Sequence, residues 1–216
     1  MGRTRDVSKI LTSNTSILTL ASASATYATK TSTGLNLIVP TSAATTGGSH
    51  SIGTNGTLTF TSASAISLNG VFTSTYDNYR VFITISSASS GSYLYVRFRA
   101  SGSDNSTTNY RYANTLWNTV SGATQNTLLT NNDTAFAIAR VDNTTATYDS
   151  VIDIGQPFNS VYTTYKGKGT GSAVVGQNYG QIMDSNGFFV DAASFDGFTI
   201  YNSTMSGKIR VYGYNQ

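Results

Sequence analysis

Apolar residues recur with a period of two along most of this chain. Leu58/Phe60, Ile66/Leu68, Val81/Ile83/Ile85, Leu94/Val96/Phe98 and Ile209/Val211 alternate with polar or aromatic positions. That spacing puts the apolar side chains on one face of a half-buried strand. Further strands are expected at 134–141, 148–154, 161–165, 181–183, 188–190 and 198–201. Turn-forming residues separate them: Asn69 with Gly70, Asp77 with Asn78, 102–105, 131–133, Asn186 with Gly187, Asp196 with Gly197, and Ser206 with Gly207. With no helical period between them, the pattern predicts an all-β fold. The expected architecture is an antiparallel β-sandwich, jelly-roll-like, with an extended N-terminal arm.

Composition agrees. Ser and Thr number 29 and 34 of 216 residues, and all ten acidic residues are Asp. Helices draw on Glu, Lys, Ala and Leu, whereas Thr, Tyr, Phe and Val suit pleated surfaces. There is no Cys and a single His, His50, so a disulfide scaffold, a thiolate site and a Cys nucleophile are excluded. No apolar run approaches the ~18 residues that span a bilayer. Asp6, Ser8 and Lys9 interrupt what a signal peptide would need as its apolar region, and Asp6 stands where myristoylation requires Ser or Thr. Neither a leader nor membrane insertion is expected.

Charge and aromatic content set an expected domain boundary. Residues 1–50 carry Arg3, Arg5, Lys9 and Lys30 against Asp6, or 4 − 1 = +3, while 51–216 carry nine cations and nine Asp. Of the 14 Tyr, 10 Phe and one Trp, only Tyr27 precedes residue 51. The expected division is an arm and linker over 1–50, with Gly47 and Gly48 as a flexible joint, and a folded head over 51–216. The alkaline character of the chain thus belongs to its first segment, and nucleic acid is not an expected partner.

The stretch GKGTGS at 167–172 resembles a phosphate loop, but Gly169 rather than Ser or Thr follows Lys168 and the flanks read as strands. It is expected to be a loop between strands. Asp149 and Asp153 should share one strand face about 13 Å apart, too far for a retaining carboxylate pair. The Asp and Asn residues at 184–186 and 191–196 suit turn capping as well as calcium. No metal, no cofactor and no catalytic residue is expected.

The aromatic pattern is more informative. If Leu94, Val96 and Phe98 face the core, Tyr93, Tyr95, Arg97 and Arg99 project outward together. Arg210, Tyr212 and Tyr214 form a similar row. Such rows give much contact area for little side-chain entropy, and a neighbouring subunit or a glycan would use them. Tyr110, Tyr112 and Trp117 cluster around Arg111, and Lys168 lies on the glycine-rich stretch. With the connection 102–109, these are the expected receptor contacts.

Three regions carry a resemblance. Tyr76-Asp-Asn-Tyr-Arg-Val81 with Leu94-Tyr-Val-Arg-Phe-Arg99 and Gly102-Ser-Asp-Asn105 resembles segments of virion proteins of tailed phages. The close, residues 196–201 with 205–214, is similar to the last hairpin of that group. Gly2-Arg-Thr-Arg-Asp-Val7 resembles short N-terminal anchors on tail fibres of marine and cyanobacterial phages. The resemblance implies a short homotrimeric tail fibre without enzymatic activity. Its N-terminal peptide, with Arg3, Arg5, Asp6, Val7, Ile10 and Leu11, would dock on another virion protein, a tail adaptor, nozzle or baseplate. Its head would meet a host-surface glycan or protein. Such a protein is made in the host cytoplasm, leaves by lysis and resides in the virion tail. A capsid decoration protein of similar fold is the alternative, and a glycan-cleaving depolymerase the third reading.

Overall fold

Each alternating segment forms a strand because it has one face to bury. In β5 (Asn78–Ala88), Tyr79, Val81, Ile83 and Ile85 are buried, while Arg80, Phe82 and Thr84 occupy the other face. The computed structural model describes residues 34–89, 91–118, 124–141, 147–171 and 180–214. Fourteen antiparallel strands form one continuous sheet, and no helix occurs among the described residues. Gly34–Gln216 is one compact unit. Residues 1–33, and with them the anchor candidates Arg3 to Leu11, lie outside the described residues.

Two long strands let that sheet fold over. β4 (Leu58–Asn69) and β14 (Gly197–Tyr214) pair over most of their lengths. On its other side, β14 pairs first with β6 (Ser92–Ala100) through 197–201, then with β5 through 205–213. The register slips between Tyr201 and Gly207. Across the ladder, Ser62 of β4 has a left-handed φ of 52°, and its amide donates to Ser206 Oγ at 3.0 Å. β2 (Ser42–Thr46) and β3 (Ser49–Ile52) both pair with β4, one after the other. They meet at Gly47 and Gly48, whose φ values are 69° and 59°. Three neighbouring strands therefore bend along one line, the bulge device that makes a sheet corner.

On one side of the bend lies the first layer, in the order β2–β4–β14–β6–β10, where β10 is Phe136–Val141. β7 (Ser103–Asp104) pairs with the end of β6. The second layer continues from β14 and β5 through β11 (Tyr148–Gly155), β12 (Val161–Gly171), β13 (Gln181–Ala193), β8 (Tyr110–Asn118) and β9 (Thr124–Asp133). β1 (Leu35–Ile38) adds to the end of β14. β10 then lies face to face on β11, β12, β13 and β8 without pairing to them. The result is an antiparallel β-sandwich. Crossings between layers, as in a jelly roll, combine with the hairpins β8–β9 and β11–β12–β13, which stay in one layer.

Aromatic rings fill the space between the layers. Phe98 stacks on Phe195 at 4.9 Å, and Tyr110 meets Phe136 edge-on at 4.8 Å. Each such ring contributes about 1.5–3 kcal/mol by burial, and each pair about 0.5–1.5 kcal/mol more. Polar side chains inside bond across the layers at one point, although among the described residues Ser150 Oγ, Thr163 Oγ1 and Asn114 Oδ1 are buried without a hydrogen-bond partner. Tyr165 Oη lies 2.5 Å from Ser185 Oγ, and Ser185 donates to the Ala137 carbonyl at 2.7 Å. Asn114 Nδ2 donates to that same carbonyl at 3.1 Å. The β10 register shifts between Ala137 and Ala139, so side chains of the second layer supply partners at this bulge.

Several expectations change. Within the expected linker, 35–38, 42–46 and 49–50 are strands of the sandwich, because Ile38 and Ala43 pack against the core. Gly47 and Gly48 are a fixed bend, not a flexible joint. Asn186 with Gly187, and Ser206 with Gly207, lie inside strands rather than in turns. The closing hairpin is accordingly one bent strand. The glycines serve close approach: a Cβ on Gly187 would stand 2.2 Å from the Arg111 carbonyl oxygen, and one on Gly207 2.1 Å from that of Thr84.

The bend should be the most sensitive glycine site. A Cβ on Gly48 would lie 2.0 Å from the Thr61 carbonyl oxygen, whereas one on Gly102, also at positive φ (78°), meets nothing within 4 Å. Gly102→Ala should cost about 1 kcal/mol of left-handed strain alone. Gly48→Ala should cost about 2–4 kcal/mol, since overpacking adds to that strain. Urea midpoints of the two variants test the difference.

Candidate functional site

The outward face of the second layer brings together side chains from six strands. Alternation puts Lys208, Arg210, Tyr212 and Tyr214 of β14 opposite buried Ile209 and Val211. The same logic turns outward Asp149, Val151 and Asp153 on β11, Lys166 and Lys168 on β12, Asp184 and Asn186 on β13, and Arg111 and Trp117 on β8, with Val151, Asp153, Asp184 and Trp117 half-buried. Register then orders them in rows. Tyr212, Arg80, Asp153, Lys166 and Asn186 follow one another across neighbouring strands, as do Arg210, Phe82, Val151, Lys168 and Asp184.

Asp153 organises one end of this face. Arg80 grips its carboxylate with two hydrogen bonds of 2.7 Å, and Tyr214 Oη donates to it at 2.7 Å. The Arg80 guanidinium lies 5.5 Å from the Tyr214 ring centre. Partial burial pushes the Asp153 carboxyl up, but the bonds from Arg80 and Tyr214 and the nearby Lys166 outweigh it, holding the carboxyl below its ordinary value. Burial, and then the bond to Asp153, raises the Tyr214 phenol. Two shallow clefts flank this group. One, of about 380 Å³, is lined by Asn78, Gly155, Thr164 and Tyr214; the other, of about 510 Å³, by Arg80, Lys166, Lys168 and Asn186.

Elsewhere on the face Thr84 Oγ1 donates to Asp149 at 2.7 Å, and Lys168 Nζ stands 3.7 Å from Asp184. Phe82 and Tyr212 meet edge to face at 5.5 Å. Among the described residues, Lys166, Lys208, Arg210 and Arg111 have no carboxylate within ion-pair distance. These four cations are exposed. They can take an anionic partner without first breaking an ion pair.

The first layer carries a smaller outward cluster. Tyr95 stacks on Tyr201 at 5.4 Å, Tyr93 meets Tyr95 edge-on, and the Arg97 guanidinium lies 4.8 Å from the Tyr201 ring centre. Arg97 also donates to the Thr134 carbonyl at 2.9 Å.

The expected site residues thus divide differently. Tyr93, Tyr95 and Arg97 share an outward face, but Arg99 is buried. Its guanidinium bonds Asn69, Ser67 and Thr199 at 2.9–3.0 Å, and also Asp104 and the Gly102 carbonyl, so the 102–104 turn closes over it. Arg210, Tyr212 and Tyr214 lie on the other layer, so the two rows do not form one surface. Tyr110 and Tyr112 are core residues, 0% and 6% exposed. Tyr110 Oη donates to the Asn105 carbonyl and accepts from the Phe98 amide, which fixes the 102–109 connection from inside. Both phenols are raised strongly, by burial above all.

Trp117 and Lys168 lie on the outward face with Arg210, Trp117 half-buried. Residues 167–171 are a central strand, not a loop; Gly169 faces inward, where a Cβ would press on that of Ala139 at 3.0 Å. Among the described residues no three His or acidic side chains gather as a cation site. Asp184 faces Lys168, and Asp196 accepts from the Ser101 amide. Arg80, Lys166 and Lys208 were absent from the expected site. Their alternate positions are legible in sequence, but the adjacency of β14, β5, β11 and β12 is not.

No protein-family model matches this chain, and no curated protein is similar to it.

Asp153 should make stability pH-dependent. Because its folded value is lowered, the contribution is present above the ordinary value of 3.8 and disappears as pH falls through the folded value. The urea midpoint should therefore fall more between about pH 6 and pH 2.5 in the wild type than in Asp153→Asn. Equal falls would assign the acid sensitivity to other carboxylates.

Proposed function

We propose that this chain is a non-enzymatic virion protein, a short trimeric tail fibre that contacts the host surface through its sandwich. The single observation that carries a contact role is the six-strand outward face, where exposed cations and rings stand on a rigid sheet. A surface of that kind binds with little loss of side-chain freedom. The assignment to a phage tail is supported by the resemblance of residues 76–81, 94–99, 102–105, 196–201 and 205–214 to virion proteins and of 2–7 to tail-fibre anchors. In this reading the N-terminal segment docks on a tail protein, and Tyr93, Tyr95 and Arg97 face a neighbouring subunit. Three linked heads raise the effective concentration of each weak contact.

Two measurements test it. Light scattering of the purified full chain should give a mass near three chains; a monomer at micromolar concentration would remove the subunit role from the Tyr93–Arg97 row. Antibody against this chain should label virions at the tail, and deletion of residues 2–12 should abolish that label while the protein stays folded. Labelling spread across the capsid would replace the fibre by a decoration protein.

A further inference from the structure

Charge is sorted within the described residues although the 51–216 body is neutral by sequence. They include nine Lys and Arg and eight Asp. Six of those cations lie on the outward face of the second layer: Arg80, Arg111, Lys166, Lys168, Lys208 and Arg210. Only three Asp accompany them, Asp149, Asp153 and Asp184, a balance of 6 − 3 = +3. The remaining described residues carry Arg97, Arg99 and Arg140 against five Asp, or 3 − 5 = −2. A field of one sign over one face draws a partner of the other sign.

We propose that this face binds an acidic polysaccharide, one that carries carboxylates at intervals along a hydroxyl-rich chain. The proposal rests on the host-contact reading and names its ligand class. Spacing supports it. Arg210 and Lys168 occupy one row three strand steps apart, through Phe82 and Val151, which is about 14 Å at the usual strand separation. Arg80 and Lys166 flank Asp153 in the next row. Cations are therefore separated by an acceptor in one row and by apolar side chains in the other, instead of forming a continuous track.

A glycan suits that spacing. Its hydroxyls donate to Asp149 and Asp184 while its carboxylates meet Lys166, Lys208 and Arg210. Its apolar ring faces can lie on Phe82, which is 37% exposed, and on the half-exposed Tyr212 that meets it edge to face. A nucleic acid backbone carries phosphates at every step and would press them against the three carboxylates. The occupant favoured by both charge and donor chemistry is the acidic glycan.

The test is affinity electrophoresis of the full chain in gels containing hyaluronate, neutral dextran or a single-stranded oligonucleotide. Hyaluronate should retard the chain, dextran should not, and 0.5 M salt should abolish the effect, since exposed charges are screened. A triple variant, Lys166→Gln with Lys208→Gln and Arg210→Gln, should bind about tenfold more weakly with an unchanged melting temperature. Absence of retardation, equal retardation by dextran, stronger retardation by the oligonucleotide, or full binding by the triple variant would each overturn the proposal. The two readings fail separately. Full adhesion of the triple variant to host cells would refute the ligand class and leave the tail fibre standing, whereas capsid labelling would remove the fibre and leave hyaluronate binding intact.

Discussion

The sandwich depends on one line of bent backbone. A flat antiparallel sheet of this many strands would leave its apolar face in water, and folding it over requires that neighbouring strands bend at the same level. Gly47 and Gly48, Ser62, and the irregular segment between Tyr201 and Gly207 meet that requirement on three adjacent strands. Gly48 passes so close to Thr61 and Ser62 that no side chain fits. Beyond the bend, β14 exchanges β6 for β5 as a partner. That exchange places β6 and β10 in one layer and β5, β11, β12, β13, β8 and β9 in the other.

Once the layers face each other, their close approach is met by glycine on the inner face. β10 lies over β12, where Gly169 accepts the close passage of Ala139. The Ser185 and Asn114 side chains satisfy the Ala137 carbonyl. With glycine inside, the intervening positions of β12 present Lys166 and Lys168 to solvent. A stretch with the composition of a phosphate loop thus becomes a strand that supplies packing on one side and charge on the other. The same division of labour holds in β14, where Ile209 and Val211 are core while Lys208 and Arg210 are surface.

Tyrosine shows how burial alters chemistry without altering residue type. Tyr110 and Tyr165 are inside, and burial raises their phenols. Their hydroxyls are spent on the Asn105 carbonyl and on Ser185. Tyr214 stands at the surface beside Arg80 and acts on Asp153. In sequence all three sit in similar alternating segments.

The sequence by itself determined the all-β class, most strand positions and the inward face of the strands with a clear period of two, such as β4, β5 and β6. A period of two is a local property, and Leu94, Val96 and Phe98 are core wherever β6 is placed. It also settled the outward direction of Arg97, Arg210 and Tyr212. Only the tertiary structure decided three further points. Gly187 and Gly207 continue strands because distant backbones approach them, and no local signal separates that from a turn. Arg99 is buried because Asn69, Ser67, Thr199 and Asp104 converge on it from elements far apart in the chain. The cationic face exists because β14, β5, β11 and β12 lie side by side, and strand order is set by the bend and by long-range pairing. Alternation along a strand says which way a side chain points, but only pairing says what stands beside it.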